Sequence, residues 1–311
     1  MSCTRKGPVP RLLLLLIITM MSGIVGADIV VKDTLGNTVH LPRPAMRIVS
    51  LAPHNTENLF AAGAGNRLVG ATLYSDYPPD AKKVPRVGGY TGVDLEAVVA
   101  LKPDLILAWE SGNKKSDIER LRSLGFPIFI SEPRRLEQIA DEIESLGELA
   151  GTLSVARRFA TRFRERLQRL RLRHADLPSV RVFYELWHRP LMTINGEQLI
   201  SQAIALCGGR NIFDHLPALA ATIDIEAVLA ADPEAIIIPV QHPTAERKRK
   251  ESWQRWPQLR AVTLDNIFFV PSDLLHRQGP RILEGTRLLC STIDEAREKA
   301  RAPAKTKGTT P

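Results

Sequence analysis

The chain has 311 residues, of which 44% are hydrophobic, 42 are Lys or Arg, 34 are Asp or Glu, and three are Cys. This composition excludes a disordered chain, a disulfide-rich scaffold and a collagen-like protein. The length predicts two lobes or one large α/β unit with a substantial hydrophobic core. The net charge of +8 could indicate a nucleic-acid or acidic-membrane partner, so the location of this charge along the chain matters.

The positive charge is concentrated in three segments. Residues 1–27 carry +3, residues 154–174 carry eight arginines against one glutamate (+7), and residues 298–311 carry +3, so the rest of the chain has a net charge of −5. The bulk of the protein is therefore mildly acidic. We expect no nucleic-acid partner and interpret the arginines of 154–174 as a solvated helix face.

Residues 1–27 have the three-part pattern of a secretory signal peptide. Basic residues precede an apolar run over 12–21, and small residues lead to Ala27. We expect cleavage before Asp28, which leaves a soluble protein outside the cytoplasm. The alternative is a membrane anchor, but ten apolar residues span only about 15 Å of helix, half of the ~30 Å core of a bilayer.

Cleavage leaves two cysteines, Cys207 and Cys290, in an oxidising compartment. Disulfides form and persist there, so we predict a Cys207–Cys290 bridge, with two buried free thiols as the alternative. A loop of this length would stabilise the fold by roughly 4 kcal/mol.

Residues 28–45 predict an extended arm with a turn at Gly36-Asn37. Beyond it, short apolar runs alternate with helical patterns, which predicts parallel α/β sheets. The predicted strands are 47–51, 68–71, 105–108, 128–130, 180–184, 236–239 and 267–270. The predicted helices are 55–63, 94–101, 116–124, 136–150, 197–206, 224–231 and 280–297.

One mid-chain segment breaks the alternation and predicts a single amphipathic helix about 30 Å long. Its apolar residues recur at spacings of four, four, four and three: Val155, Phe159, Phe163, Leu167 and Leu170. An α/β pattern lies on either side, so we predict two lobes joined by one helix. The predicted boundaries are a signal peptide over 1–27, an N-terminal lobe over 28–151, a linking helix over 152–177, a C-terminal lobe over 178–297 and a disordered basic tail over 298–311.

The two lobes share an internal repeat at an offset of 130 residues. Residues 94–107 and 224–237 are identical at seven of fourteen positions. Each copy begins with an Asp that can cap a short helix, continues with a Glu in the first turn, and ends the helix at a Pro before a buried strand. The repeat predicts pseudo-symmetric lobes with a ligand cleft between them.

Four blocks of the sequence resemble a known family. They are 47–57 (RIVSLAPHNTE), 74–79 (YSDYPP), 88–90 (GGY) and 101–106 (LKPDLI). They resemble successive blocks of the periplasmic substrate-binding proteins of iron-siderophore, haem and cobalamin ABC importers, and the resemblance runs from about residue 29 to 295. In this family two Rossmann-like lobes with parallel sheets are joined by one long α-helix. The resemblance implies a monomeric, non-catalytic receptor in the periplasm.

The members that this chain most resembles bind cobalamin. The resemblance therefore implies that cobalamin or another corrinoid binds between the lobes and is delivered to a permease dimer with its ATPase; a ferric siderophore or haem is the alternative ligand. It places Tyr74, Tyr90, Asp273 and Arg277 at ligand contacts. Trp187 is a further candidate, because aromatic faces suit a broad, partly apolar ring. Asp273 and Arg277 are also four residues apart, so a helical surface ion pair is the alternative reading of that pair.

The resemblance also assigns roles outside the cleft. Glu96 and Glu226 resemble the two carboxylates that dock onto arginines of the membrane subunits; stabilisation of a helix N-terminus is the alternative. Cys207 and Cys290 fall where the family has a disulfide. At Ala220 the chain lacks a second-lobe tryptophan of the cobalamin-binding members.

Other chemistries find little support. The sequence contains no G-x-S-x-G, H-E-x-x-H, C-x-x-C or Walker motif, so an extracytoplasmic enzyme is the weaker alternative. Its histidines lack the short spacing of a metal site, and we predict neither a metal nor a cofactor. Whether His54 or His276 touches the ligand stays open.

Overall fold

The computed structural model describes residues 28–89, 91–241, 244 and 246–301, together with Ser2. The predicted signal peptide, apart from Ser2, and residues 302–311 lie outside the described residues. The strands are β1 (Ile29–Lys32), β2 (Thr38–Leu41), β3 (Ile48–Ser50), β4 (Leu68–Ala71), β5 (Gly88–Gly89), β6 (Gly92–Val93), β7 (Leu105–Trp109), β8 (Ile128–Ser131), β9 (Val180–Tyr184), β10 (Met192–Ile194), β11 (Gly209–Asn211), β12 (Ala220–Thr222), β13 (Ala235–Val240) and β14 (Ile267–Pro271).

The α-helices are α1 (Pro53–Ala61), α2 (Leu95–Ala100), α3 (Lys115–Ser123), α4 (Leu136–Leu149), α5 (Leu153–His174), α6 (Leu199–Leu206), α7 (Ile225–Ala231), α8 (Glu246–Gln254), α9 (Arg260–Thr263), α10 (Ser272–His276) and α11 (Ile282–Arg301). Two short 3₁₀ turns cover Gly65–Arg67 and Pro79–Lys83. In the described part of the chain, none of the helices is both long and apolar enough to cross a bilayer.

Each lobe is built on one four-stranded parallel sheet. The strand order is β4-β3-β7-β8 in the first lobe and β11-β9-β13-β14 in the second. Parallel strands need crossover connections, and in both lobes these contain helices that cover the sheet. The predicted class, two parallel α/β lobes joined by one helix, is confirmed.

The internal repeat is a structural repeat. Asp94 and Asp224 cap α2 and α7 by accepting hydrogen bonds from the backbone N–H of Ala97 (2.9 Å) and Ala227 (2.8 Å). The correspondence continues past both helices, where Lys102 (φ 47°) and Asp232 (φ 40°) adopt left-handed conformations before a proline. Non-glycine residues pay about 1–2 kcal/mol for this conformation, so its recurrence at the same offset identifies one turn used twice.

The linking helix packs against α4 and carries the hydrophobic core from one lobe into the other. Its buried residues are Ala156, Ala160, Phe163, Leu167 and His174. The predicted stripe is therefore correct at Phe163 and Leu167, which are buried, and at Phe159 and Leu170, which are partly buried against the core. It is wrong at Val155, which is exposed. Near the start of the helix, alanines face α4 because the two helices are too close there for larger side chains. A Cβ built on Gly147 would lie 2.3 Å from the Cβ of Ala156.

Two arginines of the linking helix are paired, which corrects the expectation of a purely solvated face. Arg164 lies 2.6 Å from Asp141 and 2.8 Å from Glu144, and Arg171 pairs with Glu137. All three acids are on α4, one turn or two apart, so they line up with arginines on the neighbouring helix. The other arginines of α5 are exposed, as predicted.

The end of the second lobe contains the predicted disulfide, between Cys207 and Cys290, with Cα atoms 4.7 Å apart. The predicted tail began too early, because α11 continues to Arg301. Its last turns are held by side chains: Arg297 donates to the carbonyl oxygens of Pro178 (2.7 Å) and Cys207 (3.0 Å).

Candidate functional site

The carboxyl ends of the two sheets lie near each other. Residues that follow strands of the first lobe contact residues that follow strands of the second lobe. Glu57 lies on α1, directly after β3, and Asp76 lies in the loop after β4. Arg277 and Arg281 come from the segment after β14. In open α/β sheets, ligands bind beyond the carboxyl ends of the strands, so the candidate site is the cleft at this junction.

An inter-lobe ion cluster closes one part of the junction. Arg277 Nη1 lies 3.0 Å from Glu57 Oε1 and 2.7 Å from Asp76 Oδ1, and its Nη2 lies 2.9 Å from Asp273. Arg281 donates to both carboxylate oxygens of Glu57, at 2.9 and 2.7 Å. The side chain of Glu57 is only 1% exposed and that of Arg277 10%. The bonds to Glu57 therefore join the lobes as largely desolvated, charge-assisted hydrogen bonds, whereas Asp76 and Asp273 are partly exposed.

The ionisation of the cluster is set by competition between burial and pairing. Burial alone would raise the pKa of Asp76, but the hydrogen bond and charge of Arg277 outweigh it and lower that pKa. Burial likewise opposes the charged form of Arg277, and its bonds to Asp76 and Glu57 reverse the effect and raise the pKa. Asp76 and Arg277 are therefore both charged at neutral pH.

Two of the predicted aromatic contacts are exposed near the carboxyl ends of β4 and β9. Tyr74 is 65% exposed and adopts a left-handed backbone conformation (φ 66°). Trp187 is 60% exposed, and its indole N–H donates to the carbonyl oxygen of Arg189 at 3.0 Å, which fixes one edge of the ring. Leu73 and Tyr77 are also exposed, and the Arg281 guanidinium lies 4.2 Å from the Tyr77 ring centre.

The second lobe forms a pocket of about 380 Å³ beside Trp187. It is lined by residues at or beyond the carboxyl ends of β9, β13 and β14: Leu186, Trp187, Pro239, Val240, Gln241, Thr244, Arg249, Ser272 and His276. Burial lowers the pKa of His276 to about 4, and its Nε2 lies 3.0 Å from the hydroxyl of the buried Tyr184. The imidazole is therefore neutral at pH 7 and presents a polar group without charge.

A buried polar network lies beneath the junction in the first lobe. His54 Nε2 lies 3.1 Å from Ser131 Oγ, which donates to Glu142 at 2.8 Å, while the Asn58 amide donates to the same carboxyl at 3.1 Å. Burial lowers the pKa of His54 to about 3 and raises that of Glu142 to about 8. The network is thus neutral at pH 7. Trp109 packs edge-on against the His54 ring, with ring centres 5.2 Å apart.

The structure brings some predicted site residues together and leaves others apart. Asp273 and Arg277 form an ion pair with each other, and Arg277 is also held by the first lobe. Glu96 and Glu226 are exposed in the first turns of α2 and α7, in equivalent places on the two lobes, and neither has an ion pair in the described part of the chain. Tyr90, between β5 and β6, lies outside the described residues.

The sequence patterns assign roles to two members of the ion cluster, Asp273 and Arg277, and to none of the other three, which are Glu57, Asp76 and Arg281. Their partners are 201 to 224 residues away in the chain, and no local spacing indicates such pairs. Among residues 28–301 that the structure describes, no group of three His, Cys, Asp or Glu side chains is arranged to hold a metal ion.

This chain matches a known protein family and several of its members. The family model described as periplasmic binding protein matches residues 48–274. A vitamin B12-binding protein of Vibrio cholerae is 38% identical over 258 residues, covering 83% of this chain and 92% of the relative. One from Photorhabdus laumondii is 37% identical over 251 residues, covering 80% and 88%.

Solved structures agree with these matches. The crystal structure of the periplasmic vitamin B12-binding protein BtuF of Vibrio cholerae is 38% identical, with a TM-score of 0.77, and the match covers 82% of this chain and 99% of that one. The periplasmic haem-binding protein BhuT matches with a TM-score of 0.73 at 20% identity, covering 82% of this chain and 100% of that one, which shows a shared fold. The sequence resemblance is confirmed, and the chain belongs to the periplasmic binding protein family.

Proposed function

We propose that the chain is the periplasmic receptor of an ABC importer, which binds cobalamin or a related corrinoid between its lobes and delivers it to the membrane permease. Two relatives at 37–38% identity are named for vitamin B12 binding and are matched over most of their length. The role is capture and delivery, without a chemical step.

The observation that carries the ligand assignment is the pair of exposed aromatic faces, one on each lobe. Tyr74 follows β4 in the first lobe, and Trp187 follows β9 in the second. A corrin is a broad, partly apolar disc with amides around its edge. Rigid aromatic side chains offer such a disc a large contact area at little entropic cost, and nearby polar groups such as Gln241 and the neutral His276 suit its amides.

The charge of the ion cluster favours a ligand without net charge over an anionic siderophore. The guanidinium groups of Arg277 and Arg281 are matched by three carboxylates, those of Glu57, Asp76 and Asp273. This ion cluster has a formal net charge of −1, so its arginines are not available as unpaired cations for an anionic ligand without breaking bonds between the lobes.

For docking, we assign Glu96 and Glu226 to the contact with a permease dimer. Both are exposed at the same place in a repeated helix, and Asp94 and Asp224 already satisfy the helix N-termini. Pseudo-symmetric acids suit a partner with a basic patch under each lobe, where charge pairs set orientation and association rate.

Calorimetric titration of the processed protein with cyanocobalamin, cobinamide, haem and a ferric hydroxamate tests the assignment. We expect 1:1 binding of the two corrinoids and much weaker binding of the other two. Tight binding of haem or the hydroxamate, with no corrinoid binding, would overturn the ligand assignment and leave the proposed receptor role standing. Retention of the protein in a cytoplasmic fraction would overturn the role itself.

A further inference from the structure

A second pocket, which we call the basic pocket, lies beside the proposed corrinoid cleft. It measures about 570 Å³ and is formed by the segment after β9 and by helix α8. Its lining residues are His188, Arg189, Lys248, Arg249, Glu251, Ser252 and Arg255. None of these side chains is among the corrin contacts proposed above.

The basic pocket has an excess of positive charge. It contains four cations, Arg189, Lys248, Arg249 and Arg255, and one lining carboxylate, that of Glu251. Within the described ranges, only Arg249 among the four has a carboxylate within 4 Å. Glu251 is 3.8 Å from Arg247, outside the pocket. Like charges held around one concavity repel each other, so an anion that enters it is stabilised.

Arg249 is the fixed element of the basic pocket. Its Nη2 lies 2.7 Å from Glu185 Oε1, and Glu185 is fully buried and also accepts from the indole N–H of Trp253. The Nε of Arg249 is buried and has no hydrogen-bond partner among the described residues. An arginine anchored in this way holds its guanidinium in place before any ligand arrives, so little side-chain freedom is lost on binding.

The environment of His188 reflects the cations that line the same pocket. The imidazole Nδ1 lies 3.2 Å from Glu185. Burial lowers the pKa of His188, and the charges of Arg249, Arg189 and Arg255 lower it further. Three guanidinium groups thus act on one side chain, which distinguishes this cluster from cations spread over a solvated surface.

The basic pocket adjoins the cleft. Arg249 lines both this pocket and the pocket beside Trp187. His188 and Arg189 directly follow Trp187, whose indole N–H is bonded to the Arg189 carbonyl oxygen. A ring stacked on Trp187 can therefore direct a substituent from its edge toward these arginines.

We propose that the basic pocket binds a phosphodiester carried by the ligand, the group that in cobalamin joins the corrin side chain to the lower nucleotide base. This inference rests on the proposed function and sharpens it. Guanidinium groups suit phosphate oxygens because their N–H donors match the oxygen geometry in pairs. The chain then distinguishes complete corrinoids from cobinamide, which has the same ring and no nucleotide loop.

The test compares cobalamin and cobinamide affinities in the processed protein. The test variant is Arg189→Gln/Arg255→Gln, which removes two cations that lack a carboxylate partner in the described structure. The matched control is Arg158→Gln/Arg169→Gln, which removes the same charge from the exposed face of α5. The loss of a hydrogen bond to a charged group lowers affinity roughly tenfold or more. We expect the test variant to lose about that factor for cobalamin and nothing for cobinamide, and the control to lose neither.

Competition with inorganic phosphate tests whether the basic pocket binds the phosphodiester of the ligand or only free anions. In the wild type we expect millimolar phosphate to weaken cobalamin binding and to leave cobinamide binding unchanged. An equal effect of the test variant on both corrinoids, or no effect on either, would overturn the phosphodiester assignment and leave the proposed function standing. Phosphate that binds tightly and stays bound alongside cobalamin would also overturn it. If the wild type binds neither corrinoid, both proposals fail.

Discussion

Replacing Glu57 with glutamine should loosen the junction between the lobes. Glu57 is the buried carboxylate on which Arg277 and Arg281 converge, with N–O distances of 3.0 and 2.7 Å. Glutamine keeps the shape and one oxygen acceptor, and it removes the negative charge. Two arginines from the second lobe then lose their common partner from the first.

The expected loss of stability follows from the burial of this group. Removing one partner of a buried ion pair costs roughly 3–5 kcal/mol. Arg277 retains Asp76 and Asp273, so we expect the lower end, about 3 kcal/mol, which corresponds to a fall in the thermal midpoint of about 6 °C or more. Urea unfolding and calorimetry would measure it. A double variant that also carries Arg281→Gln should cost less than the sum of the single variants, because the two groups act on each other.

A matched control is Glu144→Gln on α4. Glu144 pairs with Arg164 at 2.8 Å, but both side chains are partly exposed, so the loss should stay near or below about 1 kcal/mol. If Glu57→Gln costs no more than this control, or if its effect simply adds to that of Arg281→Gln, the reasoning that the ion cluster joins the lobes is refuted.

Three further predictions concern other parts of the molecule. Charge reversal at Glu96 and Glu226 together should abolish uptake in a transport assay and leave ligand affinity and stability nearly unchanged; a large loss of affinity would contradict docking. The pKa of Glu142 is raised from 4.5 to about 8 in the folded state, so the unfolded chain releases its proton first, and this group's contribution to stability falls as pH rises from about 4.5 to 8. Glu142→Gln should flatten that dependence in urea unfolding from pH 5 to 8, and an unchanged slope would contradict the shift. Reduction of Cys207–Cys290, which closes a loop with a separation of 83 residues, should cost about 4–5 kcal/mol, and an unchanged urea midpoint under reducing conditions would contradict a structural role.

The fold was largely predictable because each lobe repeats simple local patterns. Strands such as Leu68–Ala71 and Val180–Tyr184 have the predicted bounds, since they are short apolar runs between turn residues. The helices of the repeat were predicted within one residue from their Asp caps and following prolines. Helix α8 was missed because ERKRKESWQ has almost no apolar periodicity, and α10 because five residues are too few to show one.

The site was predictable only where a resemblance or a local composition marked it. Tyr74 and Trp187 stood out as aromatic residues in a chain with few of them, and both are exposed near strand ends. The partners of Arg277 depend on how the lobes meet, which no spacing in the sequence encodes. The same holds for Arg249, whose buried partner Glu185 lies 64 positions earlier in the chain.

The most direct test of the central claim is the cobalamin affinity of Tyr74→Ala/Trp187→Ala measured against Leu172→Ala, a control at another exposed apolar residue. Each aromatic face should contribute of the order of 1 kcal/mol beyond the area it buries, so the double variant should bind cyanocobalamin at least about thirtyfold more weakly than the wild type. The control should bind like the wild type. Equal cobalamin affinity in all three proteins, with each still folded, would contradict a corrinoid held between these two aromatic faces.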